Sequence, residues 1–318
     1  LIQTKNLVKN YGSLRAVDGI SLNIKQGEIY GFLGPNGAGK TTTIKMLLGI
    51  SKPTSGEIYL FGERFTPDRV TLRKNIGVVP EKHPQGVWTW MTSREYLEYF
   101  AHIFQVNKAG NRIDYLLEKV NLSHVKNKPF KTFSRGMLQK LNIIRALLHN
   151  PDILILDEPI SGLDPIGIKQ IRDLIISETR KNRSIFVSSH LLSEVEKICH
   201  RIAIINKGKL VAEDSIERLL TKLVRNKELY IDVEHIPPGL IEEIKNMEFV
   251  KHCTLKDLTI TIEVPQEGDY RRDLALFIFN KGLIPLRIQE KAATLEEAFI
   301  TITGENIGRL TSKGGEDE

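Results

Sequence analysis

The 318-residue sequence predicts an α/β protein built on a parallel sheet, followed by a smaller α+β module. Three observations predict it. Short apolar strands alternate with amphipathic helices up to about residue 220. A glycine-rich turn ending in Lys40-Thr41 stands between an apolar strand and a helix. After about residue 222 the order becomes βαββαβ plus one helix, a split-βαβ, ferredoxin-like arrangement.

Each element has a local reason. Residues 1–60 read as strands with tight turns, among them Leu22–Ile24 and Ser55–Leu60. Glu28 to Leu33 is a short apolar run ending at Gly34, which suits a buried strand. Thr41 to Leu48 has helical periodicity and stops at Gly49. A mostly helical stretch follows from Ser93, the expected N-cap of its first helix, to Asn150. Its further helices are expected at 112–120 and 135–148. Ile153 to Leu156 is a continuous apolar strand, as in a sheet covered on both faces. A helix at 166–181, a strand at 184–188, a helix at 192–199 and a strand at 201–205 complete the alternation. The second module is expected as strand 228–233, helix 239–246, strands 249–255 and 258–264, helix 271–281, strand 284–289 and helix 294–302. The domain reading is 1–220, with a helical subdomain at about 84–150, then an accessory domain at 221–303 and a flexible tail at 304–318.

Charge separates the two modules. The chain carries 45 Lys and Arg against 39 Asp and Glu. Residues 1–220 hold 32 basic and 21 acidic residues, whereas 221–318 hold 13 and 18. An acidic second module argues against a nucleic-acid grip there. The 2 cysteines, Cys199 and Cys253, make neither a disulfide framework nor a C-x-x-C metal site, so a reducing cytosolic setting is expected. The apolar stretches, such as 274–279, are far shorter than the roughly 20 residues of a membrane span. No secretory apolar region is read at the N-terminus.

Residues Gly34 to Thr41 fit G-x-x-x-x-G-K-[ST]. The glycines let successive N–H groups face one anion, and the helix start adds partial positive charge. Asn36, Gly37, Ala38 and Gly39 form the cradle. Lys40 is expected on the β- and γ-phosphates, Thr41 on Mg²⁺, and Thr42 on the α/β-phosphate side. Asp157 ends an apolar strand, where ligands of α/β sheets bind, and is expected to hold Mg²⁺ through water. Glu158, directly after it, can polarise an attacking water as general base.

With these motifs the chain resembles the ATPase subunit of ABC transporters, a P-loop NTPase fold with a mixed sheet and a helical subdomain. Five further elements match in the family's order. Phe133 to Gln139 resembles the signature sequence, and Ser161 to Asp164 the loop after the catalytic glutamate. Ser188-Ser189-His190 resembles the switch-histidine segment. Tyr11 stands where an adenine-stacking aromatic is expected, though it could equally be a core aromatic. Glu81 stands at the glutamine loop, where a carboxylate can still reach metal or water. The resemblance implies ATP and Mg²⁺ as ligands and a head-to-tail dimer. Ser134, Arg135, Gly136 and Met137 would then face the partner's ATP. His190 would touch the γ-phosphate, and Asp164 would orient the attacking water or the opposite site.

Three positions depart from the family: Arg135 and Met137 in the signature, and Glu81 in place of glutamine. Ala293 to Phe299 resembles the small domain of bacterial exporter ATPases of the sodium-export and drug-resistance type. The implied function is ATP hydrolysis coupled to export through a separate transmembrane permease. The implied place is the cytoplasmic face of the inner membrane. Residues 82–105, with Trp88 and Trp90, either dock that permease or cap a local core. The rival reading is a soluble ABC ATPase acting on ribosome or nucleic acid. A duplicated ATPase or long coiled-coil insertion would mark it, and neither is read here.

Overall fold

The computed structural model describes residues 1–300, apart from 67, 83–87, 89, 180–181, 224–225, 292–293 and 297. The chain divides into two compact units, Leu1–Ile216 and Glu217–Glu318.

The first unit opens with strands β1 (Ile2–Tyr11), β2 (Leu14–Ile20) and β3 (Asn23–Ile24). Then come β4 (Ile29–Leu33), helix α1 (Lys40–Leu47), β5 (Ser55–Leu60), β6 (Glu63–Arg64), α2 (Val70–Arg73) and β7 (Ile76–Val79). Helices α3 (Ser93–Ile103), α4 (Ala109–Lys119) and α5 (Arg135–Leu147) make the helical part. The unit ends with β8 (Ile153–Asp157), α6 (Pro165–Thr179), β9 (Ser184–Ser189), α7 (Leu192–Glu196), β10 (Arg201–Asn206) and β11 (Lys209–Ser215).

Its six-stranded sheet runs β11-β10-β4-β9-β8-β7. All neighbours are parallel except the edge pair β10 and β11, so the sheet is mixed. Every residue of β4, β8 and β9 is buried, as a sheet covered on both faces requires. A second, antiparallel sheet of β2-β1-β5-β6, with β3 paired to β1, lies in the same unit. Phe32, Ile155 and Phe186 sit in a core shared with Ile2, Ile20 and Leu60.

The helical part shows one correction. Thr92, not Ser93, caps α3: its hydroxyl accepts from the Glu95 N–H, and Glu95 reaches back to the Thr92 N–H. The Ser93 hydroxyl is buried and donates to Lys126 O at 3.1 Å. Trp88 packs against Tyr96, Tyr99 and Phe100 with centroids 5.1–6.0 Å apart. Trp90 points outward.

The boundary falls within α8 (Ile216–Leu223), and the second unit continues with β12 (Asn226–Val233), α9 (Leu240–Lys245), β13 (His252–Lys256), β14 (Thr259–Pro265), α10 (Arg271–Asn280) and β15 (Pro285–Lys291). The sheet order is β13-β14-β12-β15, antiparallel throughout, which is the ferredoxin-like arrangement. Leu229, Ile231, Ile260, Ile262, Leu274 and Ile278 form its core. Of the last expected helix, residues 295–296 and 298–300 are helical. Thr294 is not helical, and residues 297 and 301–302 of that helix, with the tail at 304–318, lie outside the described residues. No helix among the described residues is long and apolar enough to cross a membrane.

Candidate active site

Strand neighbours bring the chemistry together. In the parallel register Leu33 lies opposite Ser189, and Asp157 opposite Ser188. The residues that follow, Gly34, Glu158 and His190, therefore leave three adjacent strands at the same edge. Ligands of open α/β sheets bind at that carboxyl edge.

The loop from Gly34 to α1 needs its glycines. A Cβ on Gly34 would lie 2.4 Å from Ile205 O, and one on Gly39 would lie 2.6 Å from Ala16 O. Gly39 also has φ 106, in the left-handed region. No side chain caps the start of α1, which leaves its first N–H groups available to an anion. Ala38 is buried behind the loop, where its carbonyl accepts from the Gly208 N–H at 3.0 Å. The Lys40 ammonium is buried, donates to Gly34 O at 2.7 Å and lies 3.3 Å from Glu158 Oε1.

The two carboxylates differ in setting. Asp157 accepts from the Thr41 hydroxyl at 3.2 Å and from the Ser188 hydroxyl. Glu158 takes φ 50, an unusual backbone angle for a side-chain-bearing residue. Its N–H donates to both Ser188 O and Ser188 Oγ at 3.1 Å, which holds that turn. The other Glu158 oxygen, Oε2, is 2.8 Å from His190 Nδ1. Glu158 is thus gripped by Lys40 on one side and His190 on the other. The aspartate–hydroxyl pair of Asp157 and Thr41 is a hard-oxygen set suited to Mg²⁺.

A cleft of about 650 Å³ collects most of the expected residues. Asn36, Gly37, Gly39, Lys40, Thr41 and Thr42 form its floor. Glu81, Glu158, His190 and Tyr11 line it as well. Tyr11 is 48% exposed, with the Lys9 ammonium 5.0 Å from its ring centroid, so it is a surface aromatic and not a core one.

Some expected residues lie apart. Ser134, Arg135, Gly136 and Met137 do not line this cleft. Ser134 instead caps α5, accepting from the Met137 N–H at 3.3 Å. Asp164 is also outside it, and its carboxylate accepts from the Gly167 N–H at 3.0 Å at the start of α6. Two residues that the sequence places in motifs but gives no role of their own belong to the site: Ser161 lines the cleft, and Ser188 ties Asp157 to the Glu158 turn. Ser188 stands two residues before His190, and that spacing was the available signal.

Comparison with known proteins decides the family. A family profile described as ABC transporter matches residues 17–161. The bacitracin transport ATP-binding protein BcrA of Bacillus licheniformis is 41% identical over 305 residues, covering 96% of this chain and 97% of that protein. The chain belongs to the ATP-binding subunits of ABC transporters. As such a subunit it binds and hydrolyses ATP to power transport. The linearmycin resistance ATP-binding protein LnrL of Bacillus subtilis (strain 168) is 30% identical over 313 residues, 96% of this chain and 99% of that one. A solved ATP-binding subunit of an ABC transporter superposes with a TM-score of 0.64 at 28% identity, over 70% of this chain and 92% of its own. A dimeric ATP-binding cassette in a post-hydrolysis state, bound to ADP and phosphate, gives 0.61 at 26% identity over 68% and 99%. ABC subunits of this kind work with transmembrane partners and dimerise.

Proposed function

We propose that this subunit drives an exporter, with Glu158 as the general base of ATP hydrolysis. The observation that carries the reading is the double grip on the Glu158 carboxylate, Lys40 at 3.3 Å and His190 at 2.8 Å, beside the phosphate loop. In this reading the loop N–H groups and Lys40 hold the triphosphate. Tyr11 offers its exposed ring to the adenine. Thr41, Asp157 and Glu81 would hold Mg²⁺, which neutralises charge on the phosphates. Glu158 takes a proton from the attacking water, while His190 holds the carboxylate and meets the γ-phosphate. The Ser134 end of α5 lies outside this chain's own cleft, which supports a head-to-tail dimer in which Ser134 to Met137 serve the partner's ATP.

The relatives named for bacitracin transport and linearmycin resistance support export of an antimicrobial compound. The permease would be a separate transmembrane protein that holds this subunit at the cytoplasmic face of the membrane. Trp90 and Tyr99, 66% and 46% exposed, support docking through residues 82–105, which lead into and include α3. No observation favours a ribosome- or nucleic-acid-directed role.

Glu158→Gln tests the reading. It should keep Mg-ATP binding, cut turnover on the order of 100-fold or more, and trap a dimer seen by size-exclusion chromatography. Wild-type hydrolysis by this variant, with only monomer in Mg-ATP, would overturn the assignment.

A further inference from the structure

Arg135 stands where the family has a small residue, and its side chain goes somewhere specific. It is the first residue of α5, directly after the Ser134 cap. Its guanidinium lies flat against Gly162: a Cβ placed on Gly162 would sit 2.6 Å from Nη1, 3.0 Å from Cζ and 3.4 Å from Nη2. Gly162 has φ 70, so glycine suits both the backbone and the close approach.

Gly162 belongs to the loop that joins the catalytic strand to α6. That loop is short and internally bonded. The Ser161 N–H donates to Glu158 O at 3.3 Å, and the Leu163 N–H donates to Ile160 O at 3.4 Å. Ser161 lines the same cleft as Glu158 and His190. Asp164 pins the far end of the loop to α6. A displacement of Gly162 therefore has few ways to relax except through Ser161 and the Glu158 turn. Packed, hydrogen-bonded segments move as units rather than deform continuously.

We propose that Arg135 is a positioning residue that couples the two nucleotide sites of the dimer. The proposal rests on the ATP-sandwich reading above. In that reading Ser134 meets the partner's ATP, whereas Glu158 acts on this chain's own ATP. The Arg135–Gly162 contact then joins the two within one chain. Nucleotide engaged at the start of α5 fixes Arg135, Arg135 fixes Gly162, and the loop sets the Glu158 carboxylate. Each subunit thereby reads its partner's occupancy before its own base is in place.

The test is steady-state ATP hydrolysis by the full-length chain over a range of ATP concentrations. The wild type should be sigmoidal, with a Hill coefficient approaching about 2, the number of sites. Arg135→Ala should fall to about 1, and Arg135→Lys, which keeps the charge but not the planar group, should lie between. Gly162→Ala should also bring the Hill coefficient toward that of Arg135→Ala, because its Cβ displaces the guanidinium, with a separate loss of turnover from backbone strain at φ 70. The double variant Arg135→Ala, Gly162→Ala should have a Hill coefficient no lower than either alone. A purely structural role would lower turnover without changing the Hill coefficient. The proposal is overturned by a hyperbolic wild type, by an Arg135→Ala curve as sigmoidal as wild type, or by a Hill coefficient in the double variant below that of either alone. Failure of the sandwich reading itself is separately visible, as absence of a Mg-ATP dimer in Glu158→Gln.

Discussion

The two compact units carry sheets of opposite kinds, and the difference explains where chemistry can occur. In the first unit β4, β9 and β8 are parallel neighbours, so their carboxyl ends share one edge. Gly34, His190 and Glu158 emerge there side by side. In the second unit every pairing is antiparallel, so adjacent strands end at opposite edges. No such convergence is available to it. The burial patterns agree. β8 is buried at all 5 positions, whereas β12 alternates buried and half-buried residues. A sheet covered on both faces can hold carboxylates in a low-dielectric setting, where their partners matter more.

Two buried lysines put this contrast to its hardest test. Lys40 is 7% exposed and pairs with Glu158, and Lys227 is 9% exposed and pairs with Glu290 at 3.0 Å. Lys40→Ala should weaken ATP binding by about 10- to 100-fold, the loss expected for a charge-assisted bond to phosphate. Lys227→Ala should leave ATP affinity unchanged. Calorimetric titration with ATP decides it, and equal losses in the two variants would break the contrast.

How far the sequence revealed this depends on whether a feature is local. The phosphate loop was legible because one run of residues carries its glycines, lysine and threonine. Strand β8 was legible because full burial leaves a continuous apolar run. Strand β11 was not read: Lys209 to Ser215 is a half-buried edge strand with mixed polarity, and no period stands out. Helix α8 was not read because it begins where the composition changes. Ser188 stands in the switch-histidine segment, but its tie to Asp157 depends on lying opposite it across two parallel strands, a register no single segment encodes. Asp164 carries two readings at once: its motif suggests a role toward the attacking water or the opposite site, and its carboxylate also caps α6.

Core substitutions sharpen the comparison at the next level. Ile155 in β8 and Ile231 in β12 are both fully buried. Truncating either to alanine should cost about 2–5 kcal/mol in denaturant unfolding. Their effects on ATP hydrolysis should differ. Ile155 lies two residues before Asp157 on the same strand, so a collapse there moves the carboxylates. Ile231→Ala should leave the turnover per folded molecule unchanged. Matched losses of activity would mean that the second unit also shapes the cleft.

The smallest expected effect concerns acid. His149 lies at the end of the α5 segment in the first unit, with Nε2 3.2 Å from Ile76 O and its ring 4.5 Å from that of Phe104. Burial holds its pKa below the ordinary 6.5, and the nearby Arg183 and Arg112 push the same way, against the Ile76 hydrogen bond. The folded chain therefore keeps His149 neutral at a pH where the unfolded chain has taken up a proton. Unfolding gains that proton, so stability falls as pH drops through about 6.5 and levels off only below the folded-state pKa. His149→Gln removes the titration while keeping a polar group near Ile76 O. Urea midpoints at pH 7.5 and pH 5.5 should show a larger acid loss in the wild type than in His149→Gln. An equal loss in both would assign acid sensitivity to groups other than this buried imidazole.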